Sequence, residues 1–466
     1  MADRAALNAW WFPPEAPAPD FEVREFGPGR VRLRVAALTP ERLFDLLDGL
    51  RRAGAGTLAG RPARSVVGTI ARAATRLATP GDPFHEEARQ VLPGLTGYGP
   101  AMIEAGLRRM GEGWTESALW GALAGELEDP GVLEVFRGRR PAGRHRAYGP
   151  ALTVHVFSGN IPGIAVTSLL RSLCVKSPSF GKTSAGEPYL ATCLARALAE
   201  VDPDLARCLA VAYWPGGSET LESAAFDAAE VVVAYGGDAT IADVRRRLPA
   251  TTRLLAYPNR VGAGVVLRSA LAGPAKADAA AWAAAEDVVT FDQQGCVSPH
   301  VLFVERGGAV EPEAFAERVA SALAEAALMR PRKAMSAAES SRIHQVRAEA
   351  EVRGDRVWAS ERGTEWTVIL EVASGFEPSP LNRVLRIYPV DDRTEALRVL
   401  TGVGPHLQTV AVAAAEAEIE TLAGALGAAG ATRIVPLGRA AWPAPGWHHD
   451  GRLPFLDLLR FCDLEE

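Results

Sequence analysis

Cys296 lies in Phe291-Asp292-Gln293-Gln294-Gly295-Cys296-Val297-Ser298-Pro299, a polar, glycine-containing stretch between an apolar helical run and an apolar strand run. A cysteine in such a loop can be partly exposed, and nearby amide dipoles can favour its thiolate, the form that attacks a carbonyl. Cys174, Cys193 and Cys208 sit in apolar sequence and read as buried, inert thiols. A second segment, Ser158-Gly159-Asn160-Ile161-Pro162-Gly163, joins a strand to a helix. Asn160 there has two readings: a turn residue that tolerates left-handed backbone or caps a helix, or an amide donor aimed at a developing oxyanion, worth about 3 kcal/mol. Lys182-Thr183-Ser184 closes a short strand and could offer an ammonium and hydroxyls to a ribose or phosphate. Val233-Ala234-Tyr235-Gly236-Gly237-Asp238 puts Gly236 and Gly237 at a helix start, where unpaired N–H groups and the dipole favour a phosphate. Neither segment is a G-x-G-x-x-G fingerprint, and neither carries an evident carboxylate for a ribose 2'-hydroxyl.

The chain that must position these residues has 466 residues, enough for two or three compact units. Hydrophobic residues make up 48% and charged ones 23%, the balance of an ordinary globular protein. The net charge of -6 and the lack of a long block of like charge argue against nucleic-acid binding, and the arginines between Arg137 and Arg146 read as a solvated hairpin. Five cysteines without C-x-x-C spacing exclude a disulfide framework and a zinc site, so no metal is expected. The N-terminus lacks the apolar core of a signal peptide, and the long uncharged run 148–170 is broken by Gly149-Pro150 and Pro162-Gly163. No membrane span and a cytoplasmic location are therefore expected. Of the 50 basic residues only four are lysine, at 176, 182, 276 and 333. That skew reflects coding bias, and a lysine that survives it draws attention.

Residues 1–60 predict an N-terminal cap with a strand at 31–35 and a helix after Thr39-Pro40. Helical spacing fills 65–127, broken at 79–81 and 97–100, and 134–154 predicts a long hairpin around Gly138 to Gly143. From 152 onward strands alternate with helices: strands at 152–157, 180–184, 209–213, 231–235 and 254–256, and helices at 164–173, 189–198, 221–228 and 239–248. This predicts a parallel, doubly wound sheet with ligands at the carboxyl ends of its strands. A second α/β unit follows, with strands at 261–267, 301–304, 366–372, 386–389, 409–412 and 433–436 and helices at 275–289 and 313–328.

Taken in order, Ser158-Gly159-Asn160-Ile161-Pro162, Lys182-Thr183-Ser184, Val231 to Asp238, Phe291 to Cys296 and His449-Asp450-Gly451 resemble the aldehyde dehydrogenase superfamily, and within it the LuxC-type acyl-CoA reductases. The resemblance runs from about residue 65 to the C-terminus. It implies an aldehyde dehydrogenase-like α/β fold of two doubly wound domains. Residues 61–132 and 151–257 would form the cofactor-binding domain, 133–150 a β-hairpin oligomerisation element, 258–440 the catalytic domain and 441–466 a C-terminal segment. It also implies roles: Cys296 as nucleophile, Asn160 as oxyanion donor, and Lys182 at the adenosine ribose or its 2'-phosphate, beside Thr183 and Ser184. Gly236 and Gly237 would pack near the dinucleotide. Lys176 remains structural.

Two departures from the family bear on the reaction. Hydrolysing relatives carry a water-activating glutamate where this chain has Ala256-Tyr257-Pro258-Asn259-Arg260, and their nicotinamide-orienting Glu-x-Phe-Gly-Pro is replaced around Ser379-Pro380-Leu381-Asn382-Arg383. The expectation is an NADPH-dependent reductase of a fatty acyl-CoA or another acyl thioester, working as a homo-oligomer with an acyl-carrier protein or acyl-protein synthetase as possible donor. NADPH is preferred to NADH because the position three residues after Lys182, a ribose-binding glutamate in NAD-specific relatives, is Ala185; Glu187 lies nearby. The competing readings are a hydrolysing aldehyde dehydrogenase, with Asp287 or Asp292 as base, and a catalytically silent NADP-binding homologue.

Overall fold

The structure is a computed structural model that describes residues 6–138 and 143–465. Two compact units are distinguished, residues 1–258 with 444–466, and residues 259–443.

In the first unit the strands Leu209–Tyr213 and Val231–Tyr235 are apolar runs without polar alternation, and all of their residues are buried. That is the signature of parallel strands covered on both faces. They join Thr153–Val156, Ser179–Thr183 and Arg253–Tyr257 in a five-stranded parallel sheet. Across the sheet the order is Arg253–Tyr257, Val231–Tyr235, Thr153–Val156, Ser179–Thr183, Leu209–Tyr213. The winding direction reverses between Thr153–Val156 and Val231–Tyr235, so the crevice outside their carboxyl ends is where such a sheet takes a ligand. The Ser158–Asn160 segment and the Gly236-Gly237 turn occupy those two ends.

One face of this sheet is covered by the helices Pro40–Ala53 and Glu219–Ala228, with Leu43, Leu46, Leu47 and Leu50 packed among Val154, Phe180, Ala212 and Phe226. Pro40 opens the first of these helices and the Thr39 side chain accepts from the Arg42 amide, a regular N-cap. Helices Ile164–Cys174, Leu190–Val201 and Ala63–Arg76 pack together on the sheet's other side. The helical layer resolves into Ala63–Arg76, Pro83–Thr96, Pro100–Glu112 and Glu116–Leu127. A small sheet of Leu7–Asn8, Val31–Ala36 and Phe21–Phe26 precedes it, and Trp11 bridges to the edge strand at Val211.

Part of the predicted hairpin is seen in Arg137–Gly138 and Arg144–Tyr148; its tip, 139–142, lies outside the described residues. The sequence missed the third strand of this sheet, Arg460–Leu464, which pairs antiparallel with Arg144–Tyr148. All five of its residues are exposed, so it has no buried face to leave a period in the sequence.

The second unit is a seven-stranded sheet in the order Arg356–Ala359, Thr367–Leu370, Val384–Val390, Pro299–Glu305, Val261–Val266, Leu407–Ala413, Arg433–Pro436. All neighbours are parallel except the edge strand Arg356–Ala359. Helices Pro274–Val289 and Pro312–Met329 cover one face through an alanine-rich core, and residues of Arg393–Val403 and Glu416–Ala428 contribute to the other. The last two, together with Ala337–Arg353 and Arg356–Ala359, were not marked by the sequence. Ala337–Arg353 buries only Ile343, Val346 and Ala350 in an otherwise charged run, and Glu416–Ala428 only Leu422 and Leu426. Among the described residues no helix is long and apolar enough to cross a membrane.

One buried group makes stability pH-dependent. His155, within Thr153–Val156, contacts the Ser168 hydroxyl through Nδ1 at 2.9 Å and that of Ser172 through Nε2 at 3.1 Å. Burial pushes its pKa down to about 3. The native state thus refuses a proton that the unfolded chain accepts from about pH 6.5 downward. The stability it contributes is full above that pH and is lost as pH falls toward 3. The thermal midpoint of the wild type is expected to drop steadily between pH 7 and pH 5, and His155→Gln to flatten part of that slope; equal slopes would contradict the assignment.

Candidate active site

The carboxyl edge of the first sheet collects the predicted dinucleotide residues. Lys182 sits at the end of Ser179–Thr183, in register with Val156 and Ala212 on its two neighbours. It shares a face with Phe180, which stacks on Trp214 at 5.7 Å. The lysine is only 7% exposed, and burial lowers its pKa while Glu222 opposes that shift. Glu222 is already engaged: its carboxylate pairs with Arg247 at 2.6 Å and accepts from the Gly217 amide at 3.2 Å. The Lys182 ammonium makes no hydrogen bond or ion pair among the described residues. A buried ammonium whose nearest carboxylate is held by another cation is costly, and a ligand anion would lower that cost.

Two further buried donors at this edge, Ser184 Oγ and Trp214 Nε1, have no hydrogen-bond partner among the described residues. A cationic amine, a hydroxyl and an indole N–H left open together fit the phosphate and ribose of a dinucleotide. The Thr183 hydroxyl, by contrast, donates to the Ala212 carbonyl at 3.3 Å and ties two strands together. Glu187 is turned inward, with Oε1 accepting from the amides of Tyr189 and Leu190 at 2.8 and 2.7 Å. It caps the helix Leu190–Val201 and presents no carboxylate to a ribose.

Glycine at 159 has a steric reason. A Cβ there would lie 2.2 Å from Ser184 Oγ and 2.7 Å from the backbone of Gly186 and Glu187, so the segments after the first two strands touch through bare backbone. Asn160, next in the chain, is exposed. It is not left-handed, and the N-cap of the following helix is Gly163, so neither backbone reason for an asparagine applies. Ser158 donates to Oδ1 at 2.8 Å and Tyr98 donates to the Asn160 carbonyl at 3.0 Å. The side chain is thus oriented with its oxygen spent on Ser158. Gly237 is the N-cap of Asp238–Arg247, and Gly236 donates to the Tyr257 carbonyl at 3.3 Å. The C-terminal His449-Asp450-Gly451 forms a single turn beside them: His449 stacks on Tyr257 at 4.3 Å, and Tyr257 on Tyr235 at 4.8 Å. Tyr257 falls in the stretch where a hydrolysing relative has its glutamate, and its ring is enclosed.

In the second unit Cys296 precedes Pro299–Glu305, at the amino edge of that sheet. It is partly exposed, whereas Cys174, Cys193 and Cys208 are buried. Burial raises all three of those thiols, that of Cys208 to about 12.

The loop leading to Cys296 is strained. Phe291, Asp292 and Gln293 all have positive φ, as do Leu381, Asn382 and Arg383 opposite them. Residues without glycine's freedom cost about 1 to 3 kcal/mol each in such conformations, so the two turns need bracing. Arg383 Nε donates to Asp292 Oδ1 at 2.7 Å, both side chains being 1% exposed. The Lys333 amide donates to Asp292 Oδ2 at 2.9 Å, and the Asn382 amide to the Asp292 carbonyl at 3.0 Å. Gln294 Nε2 donates to Asn382 Oδ1 at 3.1 Å, and Gln293 Nε2 to the carbonyls of Pro299 and Val384 at 2.9 and 3.1 Å.

Two residues here escaped the sequence reading. Arg383 was noted only as a departure from a motif. Arg433, at the start of Arg433–Pro436, is half-buried, with Asp287 and then Cys296 as the charges that act on it. In a chain with so many arginines, one more carries no signal. His300 is buried, which pushes its pKa down to about 4 and keeps it neutral.

A family model described as acyl-CoA reductase (LuxC) matches residues 58–461. A long-chain acyl-protein thioester reductase of Aliivibrio fischeri is 26% identical over 75% of this chain and 71% of its own. Long-chain acyl-protein thioester reductase 2 of Photobacterium leiognathi is 26% identical over the same shares. Among solved structures, an indole-3-acetaldehyde dehydrogenase in complex with NAD+ superposes with a TM-score of 0.78 over 99% of this chain and 97% of that one, at 16% identity. The fold is aldehyde dehydrogenase-like.

Removing one partner of a buried ion pair strands the other charge, at about 3 to 5 kcal/mol. Asp292→Asn and Arg383→Met are each expected to lose stability on that scale in denaturant titration. The double variant should lose much less than the sum, and strict additivity would show that the pair does not brace the loop.

Proposed function

The chain belongs to the acyl-CoA reductase (LuxC) family, and from that premise we propose that it reduces a fatty acyl thioester to the aldehyde through an acyl group carried on Cys296. The observation that carries this reading is a partly exposed cysteine on a braced loop whose two neighbouring aspartates are committed to structure. Residues 256–260 contain no carboxylate. Asp292 is bound by Arg383 and the Lys333 amide. Asp287 accepts from the amides of Gly438 and Ala440 at 2.7 and 2.8 Å. Both carboxylates that a hydrolysing reading would need are committed to structure.

In the proposed reaction the Cys296 thiolate attacks the thioester carbonyl, a C–S bond to Cys296 forms, and the donor's C–S bond breaks with release of its thiolate. Asn160 is the proposed amide donor to the oxyanion. A reduced nicotinamide dinucleotide, when bound, supplies the hydride that takes the acyl group to the aldehyde level. Loss of the aldehyde then restores the Cys296 thiolate.

Lys182, Ser184, Gly236 and Gly237 are proposed to hold the dinucleotide, with Thr183 positioning Lys182 through its strand contact. NADPH is the proposed reductant. An ammonium that no carboxylate pairs directly suits a 2'-phosphate, Ala185 offers no carboxylate to repel one, and the nearby Glu187 is spent as a cap. The donor is proposed to be acyl-CoA or an acyl group on a protein thiol, the latter supported by the names of the relatives. A second copy of the chain is the proposed cover for Arg460–Leu464, an exposed strand on which Phe461 and Leu464 stand in solvent.

The test is product analysis with acyl-CoAs of graded length. Aldehyde formed at the expense of NADPH is expected, with Lys182→Ala raising KM for NADPH at least about tenfold, the effect of losing one charged contact, while KM for NADH moves little. Rapid formation of free acid from aldehyde without CoA would overturn the proposal in favour of a hydrolysing dehydrogenase. Equal effects of Lys182→Ala on both cofactors would remove the 2'-phosphate from the account.

A further inference from the structure

The second sheet has an end that the proposed reaction leaves unused. Cys296 lies at its amino edge, whereas the winding of the sheet reverses with consequences at its carboxyl edge. From Val261–Val266 the chain crosses through the helix Pro274–Val289 to Pro299–Glu305 on one side. From Leu407–Ala413 it crosses through Glu416–Ala428 to Arg433–Pro436 on the other. The two helices contribute to opposite faces. Outside the carboxyl ends of Val261–Val266 and Leu407–Ala413 the chain therefore parts in two directions and leaves a crevice, the place where an open parallel sheet takes a ligand.

A cavity of about 440 Å³ occupies that crevice, within the range of about 300 to 1,000 Å³ for small-molecule sites. Its walls are aliphatic: Ala279, Ala280 and Ala283 on one helix, Ile419 on the other, and Val435 and Leu437 on and just after the edge strand. Alanines at 279 and 283, one turn apart, keep the helix surface low, and Ile419 is left 41% exposed. Among the described residues that line the cavity, Lys276 is the one that carries a charge and Ser269 the one with a hydroxyl. That hydroxyl is engaged, because it donates to Glu418 and accepts from the Ala415 amide at 2.9 Å. Glu418 also accepts from the Ala415 amide, at 3.1 Å, so its carboxylate is turned onto the start of its own helix. Lys276 is exposed and stands in the first turn of Pro274–Val289, whose N-cap, Gly273, brings no side chain to the open amides. An ammonium and the positive end of a 16-residue helix thus border an apolar cavity.

We propose that this crevice is a second ligand site, one for a free fatty acid of medium length. The carboxylate meets Lys276 and the first amides of Pro274–Val289, and the chain lies over the alanines and Ile419. Charge complementarity selects the head and the aliphatic walls select the tail. The walls offer no free side-chain donor for a sugar or a base, which sets this crevice apart from the dinucleotide residues of the first sheet. The proposal goes beyond the reaction assigned to Cys296 and does not rest on it.

The test is equilibrium dialysis of radiolabelled decanoate against the full chain, with crosslinking by a diazirine analogue of decanoate to read the position. Saturable binding is expected, with crosslinks on peptides within 269–283 or 412–437. Each methylene removed from the chain should weaken it about fourfold. Lys276→Met should weaken decanoate about fivefold, the upper range for an exposed charge pair, and leave decanol unchanged. Ile419→Glu, at an exposed position, should abolish binding of both. Cys296→Ser should bind decanoate as the wild type does, whether or not Cys296 takes up an acyl group, so the two proposals fail separately. Decanoate that binds Lys276→Met or Ile419→Glu with wild-type affinity, or that crosslinks only elsewhere, overturns the proposal. So does a lack of saturable binding, including the case of an oligomer that Ile419→Glu dissociates, which would make the crevice a contact between copies of the chain.

Discussion

The ion pair between Asp292 and Arg383 holds two left-handed turns against each other in the interior of the second unit. Neither turn would persist by itself, since none of its residues is a glycine and each backbone is in a region that side chains resist. Locked together, they give the Cys296 loop one shape. Lys333, Asn382, Gln293 and Gln294 complete the bracing, almost entirely through backbone carbonyls and amides. Cys296 thus stands on a braced turn while remaining partly exposed, and the role proposed for it needs that bracing in order to present the sulfur in one geometry.

The two units present chemistry at opposite edges of their sheets. In the first, the candidate residues Ser158–Asn160, Lys182 and the Gly236-Gly237 turn gather at the carboxyl end, where the winding reverses. In the second, Cys296 precedes its strand and lies at the amino end. Both edges show an expense that packing alone does not explain. The first buries the Lys182 ammonium without a partner, and the second holds six residues in strained backbone. Such expenses collect at functional sites because a ligand or a reacting group repays them.

Much of this was legible in the sequence, and the reasons differ by residue. The alternation of strands and helices marked both doubly wound sheets because their central strands are buried, mostly apolar runs. Lys182 stood out since lysine is scarce in this chain, and Cys296 since it alone among the non-terminal cysteines sits in a polar loop. Asn160 and Gly159 were visible as a motif, but the steric need for glycine against Ser184 and Gly186 depends on two strands being neighbours. Arg433 and Arg383 were hidden by the same composition that exposed Lys182. Thr183 looked like a ligand hydroxyl beside Lys182, whereas its hydroxyl is used between strands. Arg460–Leu464 left no pattern because no face of it is buried.

The central claim is that Cys296 carries the acyl group. Intact-mass and peptide analysis after brief exposure to a long-chain acyl-CoA, with no reductant added, measures this directly. The account predicts one acyl adduct per chain, on the Cys296 peptide, labile to hydroxylamine and absent in Cys296→Ser. An adduct on Cys462 or another residue with Cys296 unmodified, or no adduct in a folded protein that still forms aldehyde, would contradict it.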